Sequence, residues 1–313
     1  MSILCLAIFL ALCCSVDKVV NSGGPHMSTV MFSRLARAPG RLKLILQHVA
    51  MVSTSAESIP HQKVEVNGVN INYAMVGTGD HPVLLMPGAL GSAMTDFAPQ
   101  LEKLDREKLT VVGWDPRGYG KSRPPDRQFG INFFHQDAAD AAALMQKIGF
   151  DKFSLAGWSD GAITAIILAG TYPQLVRKMV IWGGNAYVTE EDFGMYEATR
   201  DISNWSERMR APMINMYGEE YFRKTWEGWI DGIMQFLHQR KGDICKTEAG
   251  QVTCPTFILH GVKDPMVPGF HPDYLHKHIK GSRRHDFPDG KHNIHLRYAD
   301  EFNKLMEDFL MES

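Results

Sequence analysis

A Gly-x-Ser-x-Gly sequence runs from Gly157 to Gly161 and has Ser159 at its centre. Residues 152–156 before it have the pattern of a buried strand, and residues 162–169 after it have that of an apolar helix. The serine therefore falls at a strand-to-helix turn, where flanking glycines allow the close approach that projects a hydroxyl toward a base. This context predicts that Ser159 is a nucleophile for acyl transfer; a chance occurrence of the pattern is the alternative.

A nucleophilic serine needs a base and a third group that orients the base. His292 lies between the last predicted strand and the last predicted helix, at the sheet edge that carries the nucleophile turn, and is the expected base. His295 is its main competitor, whereas His260 ends a strand and is interpreted as a packing or turn residue. Asp264 follows a late strand and is the expected orienting acid; an Asx-turn residue without a catalytic part is the alternative.

The order of these residues along the chain favours one fold. Asp115 also ends a strand, but it precedes the nucleophile and opens a segment rich in turn formers, so we interpret it as structural. The remaining order, Ser159 then Asp264 then His292, is that of α/β-hydrolases and differs from the orders of the two familiar serine protease folds.

The tetrahedral intermediate of acyl transfer needs backbone N–H donors for its oxyanion. One is expected from Asp160, and the other from Ala89 or Leu90 in the loop that follows an early strand. An ionised Asp160 would oppose the developing negative charge unless the substrate brings a cation. We therefore expect Asp160 to pair with the ammonium group of an α-amino acid ester; the alternative is a helix N-terminal acid that satisfies free amides.

The elements that must position these residues alternate between strands and helices. Continuous apolar runs predict parallel strands covered on both faces, and a polar–apolar alternation around Asn67 and Gly68 predicts an antiparallel hairpin. The predicted fold is a mostly parallel central sheet with helices on both faces, in one domain over residues 58–313. Its strands are predicted at 63–66, 70–73, 83–86, 111–114, 152–156, 176–182, 256–260 and 284–287.

The alternation is interrupted between about residues 185 and 252, where the pattern is helical. An insertion between two late strands predicts a cap over the strand ends, where ligands bind in open α/β sheets. One apolar stripe of this cap is expected to pack against the sheet, with a few members facing the pocket. Its members are Phe222, Trp226, Trp229, Ile233 and Leu237.

Composition narrows the range of partners. The chain has 313 residues, 44% of them hydrophobic, and a net charge of −2, so there is no electrostatic case for nucleic acid binding. No apolar run reaches the length of a membrane span. We expect a monomer that acts on a small-molecule ester without a metal or other cofactor. Cys245 and Cys254 lack the spacing of a zinc site, and a single bridge between them is left open.

Residues 1–57 are predicted to be a presequence or disordered extension. Residues 18–56 contain no acidic residue, while five basic residues are interspersed with leucines and serines, a composition typical of mitochondrial import. An apolar run at 3–16 has no basic residue before it and no convincing cleavage site after it, which weakens the alternative of secretion. A cytoplasmic protein with an unstructured tail is the other alternative.

From residue 63 to residue 310, the chain resembles the biphenyl hydrolase-like (valacyclovir hydrolase) family of serine α/β-hydrolases. The resemblance implies hydrolysis of α-amino acid esters, including ester prodrugs, in mitochondria. It also implies that Ser159, Asp264 and His292 form the triad and that Asp160 holds the substrate amine. The motifs that carry it are Leu85–Ser92, Trp114–Gly120, Ser122–Arg127, Gly157–Gly161, Asn185–Thr189, Gly290–Asn293 and Phe302–Leu305.

Two positions depart from the family pattern, and two other functions stay open. Ala162 stands where glycine is expected and Ala89 where methionine is expected, changes that reshape the acyl pocket without removing chemistry. The runner-up activity is hydrolysis of carbon–carbon bonds in ring-cleavage products, although nothing here indicates a site for dianionic substrates. The third possibility is a ligand-binding protein that keeps the fold without turnover; the three triad residue types argue against it.

Overall fold

The computed structural model describes residues 59–312, and the predicted presequence lies outside them. An eight-stranded sheet has the order β1-β2-β4-β3-β5-β6-β7-β8, in which β1/β2 and β2/β4 are antiparallel and the other pairs are parallel. The predicted α/β-hydrolase fold class is therefore confirmed. The strands are β1 His61–Val66, β2 Val69–Val76, β3 His81–Met86, β4 Leu109–Trp114, β5 Phe153–Trp158, β6 Val176–Trp182, β7 Thr256–Gly261 and β8 Arg283–Phe287.

Helices cover the sheet and connect its strands. Outside the cap, five helices lie between strands or close the chain. A sixth, the single turn Ile294–Arg297, was not predicted by the sequence pattern. These are α1 Ala93–Lys103, α2 Phe133–Lys147, α3 Asp160–Thr171, α8 Phe270–His278, α9 Ile294–Arg297 and α10 Ala299–Met311.

The cap lies between β6 and β7, as four α-helices. The longest of them, α6, carries the aromatic stripe and buries Phe222, Trp226 and Trp229. A left-handed Lys241 ends it, and Gly218 with φ 72° separates it from the helix before. The cap helices are α4 Glu190–Glu197, α5 Glu207–Tyr217, α6 Glu219–Arg240 and α7 Lys246–Gln251.

The burial pattern of the central strands matches a sheet covered on both faces. All six residues of β3 are buried, and alternate side chains belong to two different cores. Leu84 and Met86 pack in one cluster, whereas Val83 and Leu85 pack in the other. Because β3, β5 and β7 run in the same direction, the loops that follow them leave the sheet at one edge, the carboxyl edge. The predicted site residues lie in or beside these loops.

Local sequence signals account for several details of the fold. Asn67 and Gly68 both have positive φ, 47° and 77°, as the two-residue hairpin between β1 and β2 requires. Helix α1 is kinked, because Phe97 has non-helical φ and ψ two residues before Pro99. Cys245 and Cys254 are both free thiols, so the bridge left open by the sequence is not formed. Within residues 59–312, no helix is both long and apolar enough to span a membrane.

Candidate active site

The nucleophile turn places Ser159 between β5 and α3 in a strained backbone conformation. Its φ of 55° and ψ of −122° are rare for a non-glycine residue, and such strain concentrates at functional sites. Steric contacts exclude a side chain at either flanking glycine. A Cβ on Gly161 would lie 1.9 Å from the carbonyl oxygen of Met86. A Cβ on Gly157 would lie 2.4 Å from the carbonyl oxygen of Gly161. The Ser159 amide donates to the carbonyl of Trp182, 3.0 Å away, which fixes the turn against β6.

Ser159, His292 and Asp264 form a continuous hydrogen-bonded chain. His292 Nε2 lies 3.0 Å from Ser159 Oγ, and His292 Nδ1 lies 2.8 Å from Asp264 Oδ2. Because a carboxylate accepts, it favours a proton on Nδ1 and leaves Nε2 to accept the serine proton. This geometry is that of a base oriented by an acid and directed at a nucleophile.

Asp264 is held in its ionised form by several donors. Its side chain is almost fully buried, and Oδ1 accepts hydrogen bonds from the amides of Met266, at 2.8 Å, and Val267, at 3.1 Å. Burial opposes ionisation, but the charge and hydrogen bond of His292 and the two amides outweigh it, so the pKa of Asp264 is below its usual value. The two interpretations of Asp264 are therefore compatible, since one oxygen closes an Asx turn while the other orients the histidine.

The imidazole of His292 is enclosed by two neighbours. The indole Nε1 of Trp158 donates to the His292 carbonyl over 2.9 Å, and the two rings are 5.3 Å apart. On another side lies Gly183, whose φ is 59° and whose missing Cβ would lie 3.0 Å from His292 Cε1. The ring position thus depends on a glycine that leaves room for it.

The competing residues lie elsewhere. His295 is fully buried, accepts from the Trp182 indole at Nδ1 (2.9 Å) and bonds the Asp96 carbonyl through Nε2 (3.0 Å). Burial lowers the pKa of His295 to about 3, which keeps it neutral. Asp115 accepts hydrogen bonds from three N–H groups, and His260 is buried in the core. These contacts suit structural residues.

Asp160 directs its carboxylate away from the first turn of α3 and toward the cap. The indole Nε1 of Trp229 donates to Asp160 Oδ2 over 2.8 Å. Burial raises the pKa of Asp160 to about 7, although the Trp229 hydrogen bond and the charge of Arg127 favour the ionised form. A carboxyl group beside the nucleophile that titrates near neutrality is a candidate ligand for a cation.

A second buried ion pair lies behind Asp160. The guanidinium of Arg127 makes two hydrogen bonds to Asp137, of 2.7 and 2.6 Å, and lies 4.5 Å from the centre of the Tyr119 ring. Asp137 already balances Arg127, so within residues 59–312 no cationic side chain is in direct contact with the Asp160 carboxylate. Asp160, Tyr119 and Gly88 are among the residues that line a cavity large enough for about one water molecule.

The loop after β3 makes a tight turn in front of the nucleophile. The Gly91 amide donates to the Gly88 carbonyl over 3.0 Å, which leaves Ala89 and Leu90 at the centre of the turn. Leu90 has a φ of 57°, unusual for a residue with a branched side chain. The two predicted oxyanion donors of this loop, Ala89 and Leu90, thus lie in a strained turn. The third predicted donor, Asp160, is the first residue of α3.

Comparison with known proteins decides the family. The chain is 56% identical over 279 residues to the human "Serine hydrolase BPHL", covering 86% of this chain and 96% of the human protein. It is 54% identical over 277 residues to the mouse protein of the same name, covering 88% and 95%. The family model described as "alpha/beta hydrolase fold" matches residues 81–212.

The chain is a serine α/β-hydrolase of the biphenyl hydrolase-like family. Solved structures of other α/β-hydrolases share the fold of this biphenyl hydrolase-like protein. A meta-cleavage product hydrolase from Pseudomonas fluorescens has a TM-score of 0.66 at 20% identity, covering 79% of this chain and 96% of its own. An enol-lactonase from Burkholderia xenovorans has a TM-score of 0.63 at 21% identity, covering 80% and 100%. At these identities, the likeness shows the fold alone.

Three residues of this biphenyl hydrolase-like site were not assigned from sequence. Trp229 belonged to the apolar stripe of the cap, and only a structure shows that its indole N–H binds Asp160. Tyr217 donates from the cap to the Leu90 carbonyl, and Asp96 Oδ2 accepts from the Gly88 amide. For Asp96 the sequence offered a weak signal, an acid four residues after Ser92, which the structure shows to be the cap of α1. Within residues 59–312, no group of three His, Cys, Asp or Glu residues is arranged to hold a metal ion.

Proposed function

We propose that this serine hydrolase cleaves α-amino acid esters by acyl transfer through Ser159. The observation that carries the proposal is a buried carboxyl group, Asp160, directly after a serine that is hydrogen-bonded to an oriented histidine. In the proposed mechanism, His292 Nε2 takes the Ser159 proton as Oγ attacks the ester carbonyl. Asp264 stabilises the resulting imidazolium, and the oxyanion is bound by the amides of Asp160 and of Ala89, with Leu90 as the alternative donor.

Collapse of the tetrahedral intermediate breaks the ester C–O bond, and His292 gives its proton to the departing alcohol. A water molecule then attacks the acyl-enzyme and loses its proton to His292. As the bond between the acyl carbon and Ser159 Oγ breaks, His292 returns this proton to Oγ and the amino acid is released. No cofactor is needed to balance these steps.

Selectivity is proposed to come from Asp160. Its carboxyl group is buried and bound by a neutral indole donor, so the substrate ammonium would be the cation that completes the pair. The same charge disfavours the runner-up activity, carbon–carbon cleavage of ring-cleavage products, because a dianionic substrate would meet a carboxylate beside the nucleophile.

A labelling experiment separates turnover from simple ligand binding. We expect a fluorophosphonate probe to label the wild-type protein on Ser159 and to leave Ser159→Ala unlabelled, since only an activated serine reacts. Hydrolysis of amino acid esters should fall to background in the same variant. Labelling of wild type at another residue, or full ester hydrolysis by Ser159→Ala, would overturn the proposal.

We also propose mitochondrial import, on the basis of the acid-free, basic composition of residues 18–56. A fluorescent protein fused behind residues 1–57 should enter mitochondria. Replacing Arg34, Arg37 and Arg41 by glutamate should prevent entry, and an unchanged distribution would count against import.

A further inference from the structure

Helix α5 of the cap ends at Tyr217, its most deeply buried residue. Tyr217 is the only fully buried residue of this helix, in which several others are exposed. Its hydroxyl donates to the Leu90 carbonyl over 2.5 Å and accepts from the Gly120 amide over 2.9 Å. One hydroxyl group therefore joins the cap to the loop after β3 and to the loop after β4.

The Leu90 carbonyl belongs to the turn that supplies the proposed oxyanion donors. Leu90 has a left-handed backbone, and a non-glycine residue keeps such a conformation only when its surroundings impose it. From the core, the turn is held by the hydrogen bond of the Gly88 amide to Asp96 Oδ2, at 3.0 Å. From the cap, it is held by Tyr217. Within residues 59–312, the side chain that hydrogen-bonds the Leu90 carbonyl therefore belongs to the cap and not to the sheet or its loops.

We infer that Tyr217 is a positioning residue that orients the oxyanion loop, so that docking of the cap completes the oxyanion hole. The inference rests on the proposed function, because it assumes that the amides of this turn bind the oxyanion. Catalysis depends on donors fixed where the charge develops, and small displacements of such groups lower turnover strongly. Tyr217 touches no reacting atom and acts through the Leu90 peptide.

The cap provides a matched control four residues later. The hydroxyl of Tyr221 also donates to one carbonyl, that of Gly118, at 2.9 Å, and accepts from one amide, that of Arg127, at 3.0 Å. The two tyrosine rings are 5.8 Å apart. Tyr221 thus makes the same pair of hydrogen bonds between cap and core, but its partners do not belong to the oxyanion loop.

The test compares Tyr217→Phe with Tyr221→Phe in the full chain, using an amino acid ester and a simple p-nitrophenyl ester. We expect Tyr217→Phe to lower kcat about tenfold or more on both esters, with KM changed less than twofold, because the loss falls on the oxyanion and not on the amine. Tyr221→Phe should keep kcat within about twofold. A boronic acid that forms a tetrahedral adduct on the serine should bind Tyr217→Phe about tenfold more weakly.

Thermal denaturation provides the structural control, since both variants lose two hydrogen bonds and should lose similar stability. Equal kcat values in the two variants, or a loss confined to KM, would overturn the role of Tyr217. Esterase activity that survives Ser159→Ala would instead overturn the proposed function. The two failures are therefore distinguishable.

Discussion

The indole N–H of Trp229 donates to the carboxyl group of Asp160 over 2.8 Å, so a helix of the cap holds the acid that follows Ser159. This hydrogen bond favours the ionised form of Asp160 against the opposing effect of burial. The cap therefore contributes to the charge of the site as well as to its enclosure.

Trp229→Phe should move the acid limb of the pH profile for amino acid esters to higher pH. Burial raises the pKa of Asp160, and the hydrogen bond from Trp229 lowers it. Without that donor the pKa should rise by about one unit, the size expected for a hydrogen bond to a charged group. The control is Trp226→Phe, because Trp226 stacks on Trp229 at 4.8 Å but donates to the Thr199 carbonyl. An identical shift in both variants would contradict the assignment.

The wild-type pH profile should depend on the substrate amine. Because the pKa of Asp160 is about 7, kcat/KM for an amino acid ester should rise through pH 7 as the carboxyl group ionises. It should fall again above about pH 7.7–8, where the substrate amine loses its proton. Divided by the profile of the matching ester without the amine, this profile should keep both features, because limbs from groups that act on both esters cancel. Asp96, whose pKa burial also raises to about 7, acts on both esters alike, so the ratio of the two profiles isolates Asp160.

Asp160→Asn should stabilise the protein at alkaline pH. The pKa of Asp160 is raised from 3.8 to about 7 on folding, so the native state binds more protons in this range and its stability falls as pH increases from 3.8 to 7. The variant removes this penalty and can still accept from Trp229. We expect its advantage over wild type to be about 2–3 kcal/mol larger at pH 8 than at pH 5 in urea unfolding. A pH-independent difference would exclude ionisation as the cause.

Gly183→Ala should impair catalysis more than stability. A Cβ at this position would lie 3.0 Å from His292 Cε1 and 3.1 Å from Nδ1, so the imidazole must shift, and we expect a loss of about tenfold to a hundredfold in kcat/KM. Gly281→Ala is the control, since Gly281 also has a positive φ, 72°, but no atom within 4 Å of a Cβ. If both variants lose stability yet keep full activity, Gly183 does not position the ring.

The fold class and the family could be predicted from sequence because they depend on short-range patterns. The strand-to-helix turn at Ser159 and the positions of Asp264 and His292 after late strands follow from local periodicity and chain order. Strand starts were less predictable: β3 begins at His81 and β4 at Leu109, each two residues before its predicted start.

The contacts between cap and core could not be predicted. Tyr217 and Leu90 are 127 positions apart, and Trp229 and Asp160 are 69 apart. An aromatic residue in an apolar helical stripe has the same pattern whether its polar atom faces a carboxylate or a backbone carbonyl, as Trp229 and Trp226 show. Such pairings are set by tertiary packing, for which periodicity carries no signal.

The most direct test is the ratio of kcat/KM for a valine ester to that for its N-acetylated counterpart, measured with wild type and Asp160→Asn. We expect wild type to prefer the free amine and the variant to lose about a hundredfold of that preference, mainly through KM, while its rate on the acetylated ester stays within a fewfold. An unchanged ratio in Asp160→Asn would contradict the pairing of Asp160 with the substrate ammonium.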